Sequence, residues 1–294
     1  MDCTTFLQWA LPQHGLRWAG FRKVRGQVCK RLMRRMAELG LDDFADYRAR
    51  LEADRHEWEE FDAFCHITIS RFYRDRGVFD TLRRRVLPDI AARALAEGRE
   101  ARIWSAGCAS GEEPYTLKIL WDLEVAAAYP GAAVAITATD VDEVMLARAR
   151  SACFARTSMR ELPADLVGQA FDQVGPQLQV KPRHRAAIQF LAQDLRSQAP
   201  AACFDLILCR YLAFTYFAFP LQQQVVACIL ERLLTPGYLV IGTHETLPPG
   251  CGLVALDHAP QIFRRGTDEL ARLGRPREPG EIDPRQGARP LFRS

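Results

Sequence analysis

What the chain lacks narrows its chemistry. None of its nine cysteines stands two residues from another, so neither a zinc-binding nor a redox Cys-x-x-Cys pair is present. The odd, scattered set of Cys3, Cys29, Cys65, Cys108, Cys153, Cys203, Cys209, Cys228 and Cys251 reads as reduced, buried thiols in a cytoplasmic protein. No stretch is apolar for long enough to cross a bilayer, and no basic region followed by a long apolar run opens the chain. Neither membrane insertion nor a signal peptide is expected. Charge of one sign is not in excess. The 39 basic and 36 acidic residues leave +3, which gives no reason to expect a nucleic-acid partner. Internal repeats are missing too. The dinucleotide G-x-G-x-x-G fingerprint is not met around Gly107 and Gly111, because its first two glycine positions cannot both be filled.

What is present divides along the chain. Residues 1–20 are mixed and weakly patterned. Over 21–39, Val24, Val28, Leu32, Met36 and Leu39 recur at spacings of three and four, which predicts a helix stopped by Gly40. Arg25, Lys30, Arg31, Arg34 and Arg35 give it a basic face, readable as a solvated surface or as a dock for an acidic partner. Two shorter helices follow, so residues 1–66 are expected to form a helical N-terminal domain. Residues 67–98 read as a linker and connecting helices. Residues 99–265 alternate strands with helices and imply a mostly parallel sheet with helices on both faces. Strands are expected at 102–104, 134–139, 188–192, 204–208 and 238–243. A small strand-bearing insertion is expected near 156–185, and a loose tail over 266–294, rich in Arg, Pro and Gly.

The chemistry concentrates at 102–118. A short strand runs into the small residues Ser105 to Gly111 and then into a helix opening with Glu112 and Glu113. Strand, turn, helix is where an α/β fold binds a nucleotide-like ligand. Two glutamates repel a pyrophosphate, whereas S-adenosylmethionine brings a ribose and positive charge. Asp140 ends the next strand, where a carboxylate can accept from ribose hydroxyls, and Asp142 reads as a helix cap. Asp194 ends the third strand and could accept from an adenine amino group, with Leu195 against the ring. His244, at the end of the last strand, suggests a general base, although a lone histidine in such a turn is more often structural.

Several runs together resemble the CheR-type methyltransferases that use S-adenosylmethionine. They are Ile-Trp-Ser-Ala-Gly-Cys-Ala-Ser-Gly-Glu-Glu-Pro-Tyr at 103–115, Ala-Thr-Asp-Val-Asp at 138–142, the strand from Phe204-Asp205 to Cys209-Arg210, and Pro-Gly-Tyr-Leu at 236–239. Ser-Arg-Phe-Tyr-Arg-Asp at 70–75 is similar to that family's Thr-x-Phe-Phe-Arg motif. The resemblance implies a class I, Rossmann-like methyltransferase domain behind a small all-helical domain, acting as a protein-glutamate O-methyltransferase or a close variant. It implies that Ala106, Gly107 and Glu112 border the methionine part of the cofactor. Asp140 would hold the ribose, Asp194 and Leu195 would flank the adenine, and Ser70 and Arg74 would reach over from the linker. Arg74 would steer the acceptor carboxylate, with Tyr216 nearby.

The chain departs from that pattern on one side of the site. Tyr211 stands where the family has an asparagine that contacts the cofactor. The run 211–217 is one residue longer than usual, Tyr73 and Ser70 replace Phe and Thr, and His244 replaces a serine. Three readings follow: a methyltransferase acting on a protein carboxylate, one acting on a small molecule, and a cofactor-binding sensor or scaffold without turnover.

Overall fold

The computed structural model describes residues 1–266. The tail expected at 266–294 falls, from residue 267 onward, outside the described residues. Five helices come first: α1 (Cys3–Gln13), α2 (Trp18–Phe21), α3 (Arg25–Leu39), α4 (Phe44–Ala53) and α5 (Arg55–Cys65). The periodic residues Val28, Leu32 and Met36 of α3 are buried, and Gly40 closes it in left-handed backbone. Asp43 and Asp54 cap α4 and α5 by accepting from first-turn N–H groups. Helix α1 was not anticipated. Phe6, Leu7, Ala10 and Leu11 do carry helical spacing and are buried, and Asp2 caps the start. Pro12, in its last turn, masked the pattern.

One expectation about the cysteines is corrected. Cys3 and Cys29 form a disulfide between α1 and α3, with Cα atoms 6.1 Å apart. They are 26 residues apart in sequence, and only the packing of the two helices brings them together. The other seven are free thiols.

After the linker come α6 (Arg76–Thr81) and α7 (Leu87–Ala96), then the strands β1 (Ala101–Ala106), β2 (Val134–Asp140), β3 (Cys153–Ala155), β4 (Phe171–Val174), β5 (Gln177–Val180), β6 (Ile188–Ala192), β7 (Phe204–Cys209), β8 (Leu233–Val240), β9 (Leu253–Leu256) and β10 (Ala259–Arg265). Between them lie α8 (Glu112–Leu120), α9 (Ala126–Ala128), α10 (Glu143–Ser151), α11 (Ala164–Ala170), α12 (Ala213–Tyr216) and α13 (Phe219–Arg232). The main sheet has seven strands in the order β6-β2-β1-β7-β8-β10-β9. The first five are parallel, and β10 and β9 add antiparallel at one edge. Every residue of β7 is buried, as a parallel strand covered on both faces requires. The two edge strands were not expected, because Gly, Pro and polar residues interrupt 246–260. A second sheet, β3-β5-β4, is antiparallel and fills the connection between α10 and β6.

The chain runs outward from β1 through β2 to β6, then crosses to β7 on the other side of β1. That reversal places a crevice at the carboxyl ends of β1 and β7. The helical N-terminal part closes over it. The loop between α1 and α2 bridges Leu16 to Phe217, Arg17 N–H donates to the Tyr216 carbonyl at 2.8 Å, and Ala218 N–H donates to the Gly15 carbonyl at 2.8 Å. Phe6, Phe21 and Leu32 from the helices share one apolar cluster with Trp104, Ile207 and Leu239 from the sheet. No helix among the described residues is long and apolar enough to cross a membrane.

Candidate active site

The crevice holds a cavity floored by the turn after β1. Gly107 and Cys108 donate their N–H groups to the Thr139 carbonyl at 2.8 and 3.0 Å, which pins the turn to β2. Ala109 is held in left-handed backbone at φ 46°, a conformation that costs a residue with a side chain about 1 kcal/mol or more. Its N–H donates to Asp140 Oδ2 at 2.8 Å, which offsets that cost. Gly111, at φ 92°, then turns the chain into α8, and its absent side chain leaves room for Ala149.

Asp140 is the central acceptor. Oδ2 takes the Ala109 N–H and Oδ1 takes the Asp142 N–H at 2.9 Å, so each oxygen keeps a lone pair for a ligand. Burial raises its pKa above the ordinary carboxylate value, against those hydrogen bonds. Asp142 caps α10 by accepting from Val144 and Met145.

Of the residues named from sequence, Ser70, Arg74, Gly107, Asp140, Asp194, Leu195, Tyr211 and Tyr216 line this cavity. Ala106 and Glu112 do not. Ala106 is the buried last residue of β1, and Glu112 turns to accept from the Ser110 hydroxyl at 2.8 Å. The lining carboxylate is its neighbour Glu113, which accepts from Ser105 Oγ at 2.7 Å and Arg210 Nη1 at 2.8 Å. A helical step of about 100° separates adjacent side chains, and the sequence did not say which glutamate faced inward. His244 is exposed in a turn and does not line the cavity, so the general-base reading is dropped.

Asp194 is already engaged. It accepts from Arg196 N–H at 2.9 Å and from that guanidinium at both oxygens, while the same guanidinium grips Asp62 of α5 at 2.6 and 2.8 Å. A free acceptor lies next door: Gln193 lines the cavity, and its Oε1 is buried without a partner. Such an atom can accept from a donor on a bound ligand or from water.

The opposite wall is a charge network that sequence reasoning missed. Arg210, buried after β7, donates to Glu113, to Asp75 Oδ2 at 2.8 Å and to the Arg74 carbonyl at 2.8 Å. Asp75 also accepts from the Tyr211 hydroxyl. Buried Glu245 accepts from Tyr211 N–H at 2.9 Å, Gly242 N–H at 2.6 Å and Thr215 Oγ1 at 2.6 Å. Arg210 and Glu245 flank residues that the sequence had marked, and a charge beside a strand end was the only signal.

A carboxylate with spare lone pairs on one wall and a guanidinium on the other, at the carboxyl ends of a mostly parallel sheet, make a crevice of the kind in which α/β folds bind nucleotide-like ligands. The family follows from similarity. Residues 68–253 match the family described as CheR methyltransferase, SAM binding domain, and residues 23–62 match its all-alpha domain. The chain belongs to the CheR methyltransferase family and is an S-adenosylmethionine-dependent methyltransferase. It is 31% identical over 235 residues to a chemotaxis protein methyltransferase of Listeria monocytogenes, covering 79% of this chain and 86% of that one. It is 32% identical over 227 residues to chemotaxis protein methyltransferase 1 of Pseudomonas aeruginosa, covering 75% of this chain and 81% of that one. An uncharacterized 104.1 kDa protein of Rhodobacter capsulatus is 33% identical over 224 residues, covering 76% of this chain and 23% of that longer protein.

Proposed function

We propose that the chain methylates a carboxylate oxygen on a protein, with a glutamate of a chemotaxis receptor as the acceptor. The observation that carries this reading is Arg74: a guanidinium lining the cofactor cavity, on a backbone pinned by Arg210. The names of the relatives favour a receptor over a small molecule.

The donor sets what the protein must do. Bound S-adenosylmethionine supplies a methyl group already activated on a sulfonium. An ionised carboxylate needs no base, so alignment and exclusion of water supply the rate. Asp140 would accept from the ribose hydroxyls with its spare lone pairs, and Gln193 Oε1 from an amino group of the base. Glu113 would face the cationic methionine end. Arg74 would bind one oxygen of the acceptor and leave the other free to attack, with Tyr216 at the rim. Helix α3 is the proposed dock for acidic partner surface. Arg31 and Arg35 are spent on the Phe64 and His66 carbonyls and on Glu57, which leaves Arg25, Lys30 and Arg34 exposed.

Incubation with methyl-labelled cofactor and a purified receptor cytoplasmic fragment tests the acceptor. Label released from the protein as methanol in mild alkali is the expected result. Label confined to small molecules would move the assignment to a low-molecular-weight acceptor, and no transfer with intact cofactor binding would favour a sensor. Arg74→Ala is expected to lower kcat/KM by about 10²-fold, since misplacing a reacting group by about 1 Å costs that much. Calorimetric titration of the same variant should give a cofactor Kd within about threefold of the parent, less than one lost hydrogen bond to a charged group would cost.

A further inference from the structure

We infer that Tyr211 is a positioning residue for Arg74: its ring is the platform that holds the guanidinium at the acceptor side of the cavity. The inference rests on the reading of Arg74 above and assigns Tyr211 a role other than the cofactor contact implied by its place in the chain.

The guanidinium carbon of Arg74 lies 3.8 Å from the centroid of the Tyr211 ring, a stacking distance. Its Nη1 donates to the Ile69 carbonyl at 2.5 Å, which fixes its rotation over that ring. The ring is itself held by its hydroxyl and by the chain behind it. Its hydroxyl donates to Asp75 Oδ2 and lies 2.7 Å from Thr243 Oγ1, and Thr243 N–H donates to it at 3.2 Å. A Cβ added at Gly242 would stand 2.7 Å from the ring's Cε1 and 2.8 Å from Cδ1, so only glycine there lets the ring lie flat against the strand end.

The backbone agrees with the side chains. Tyr211 is in left-handed backbone at φ 56°, and Tyr73 and Asp75, on either side of Arg74, are at φ 58° and 64°. Three residues with side chains in that region need a surrounding structure that over-determines them. Here Glu245 takes the Tyr211 N–H, Thr116 Oγ1 takes the Tyr73 N–H at 3.2 Å, and Glu161 takes the Asp75 N–H at 3.0 Å. Asp75 joins the two halves, because the same carboxylate oxygen binds the Tyr211 hydroxyl and Arg210. A long, flexible arginine side chain is thereby confined before any acceptor arrives, which is what alignment of a nucleophile requires.

Two measurements test this. In proton spectra, the Arg74 side-chain resonances, assigned with Arg74→Lys, should be shifted upfield by the ring. The shift should vanish in Tyr211→Asn, whose asparagine tolerates the left-handed backbone, and persist in Tyr211→Phe. Absence of the shift in the parent protein, or its survival in Tyr211→Asn, overturns the inference. The second measurement is a cycle of Tyr211→Asn, Arg74→Ala and the pair, read as cofactor Kd by calorimetry and methyl transfer to the receptor fragment. Tyr211→Asn should lower kcat about tenfold, in line with a desolvated cation–ring contact, with Kd unchanged or tighter. Tyr211→Phe should recover most of the rate, and the double variant should be no slower than Arg74→Ala alone. Multiplicative losses in the double variant, or a Kd that weakens with the rate in Tyr211→Asn, overturn the inference while leaving Arg74 in place. Full transfer by Arg74→Ala overturns the assignment of Arg74, and the inference with it.

Discussion

Asp140→Ala should abolish cofactor binding at any concentration convenient for calorimetry, while the protein stays folded. The carboxylate is half-buried, and its two oxygens each hold one backbone N–H and have one lone pair left. Two ribose hydroxyls would fill those places. Each hydrogen bond to a charged group is worth about 1.5–3 kcal/mol, so their joint loss weakens binding by about 10²-fold or more. The turn suffers as well, because Ala109 at φ 46° loses the acceptor of its N–H and with it the tie that holds the floor of the cavity. Asp142→Ala is the control. It removes a helix cap, which lowers stability by about 1 kcal/mol, and should leave cofactor affinity near the parent value. The pH dependence carries a definite sign. All four groups facing Asp140 would be donors, so the ionised form binds, and a proton competes with the cofactor. Burial raises the Asp140 pKa, so affinity should fall on acidification, starting at a higher pH than an ordinary carboxylate would give. Equal Kd values for the parent and Asp140→Ala would remove Asp140 from the site.

Much of the architecture was readable because its signals are local. A buried strand such as Phe204–Cys209, a small-residue turn and a helix opening with acids lie consecutively in the chain, and their periods give the element types. The parallel core of the sheet follows from alternation of strands and helices. The edge strands β9 and β10 did not follow, because their partners are set by antiparallel return from β8 and no period marks Leu253–Leu256, of which two residues are exposed. The site divides in the same way. Asp140 and Gly107 sit at strand ends, where position alone was enough to place them beside the cavity. Glu113 and Glu112 differ only in which way a helix's first turn faces, and that depends on Arg210, 97 residues away. Asp194 looked free in sequence because Arg196, two residues on, is drawn to it by Asp62 of the helical part. The disulfide, Arg17 and Gly20 belong to the same class: contacts between distant segments, with no mark in either segment alone.

The last of these gives the second large effect. Gly20, in α2, lies so close to α12 that a Cβ there would stand 2.1 Å from the Thr215 carbonyl oxygen and 3.2 Å from Tyr216 Cα. Arg17 donates to the carbonyls of Phe214 and Thr215, and Phe21 packs against Tyr216 with the rings tilted by 53° and their centroids 4.8 Å apart. Helix α12 has four residues and carries Tyr216, so it has little rigidity of its own. The strap from the N-terminal helices supplies it. Gly20→Val must therefore push α12 away from α2, because backbone cannot yield as the end of a side chain can. Overpacking of this kind costs about 1–3 kcal/mol. For a chain of this size, that lowers Tm by roughly 2–4 °C per kcal/mol. The loss of rate should be larger, about 10²-fold in kcat, because Tyr216 moves by about 1 Å or more at the rim of the reaction site. Cofactor affinity should change less, since Asp140 and Gln193 lie on the far wall. Gly26→Ala is the matched control: its Cβ meets open space in α3, and the change should raise stability by up to about 1 kcal/mol with turnover unchanged. A lowered Tm with full turnover in Gly20→Val would assign the strap to stability alone. A rate that falls while cofactor binding holds would make the helical part a component of the catalytic site, since it is the segment against which Tyr216 is set.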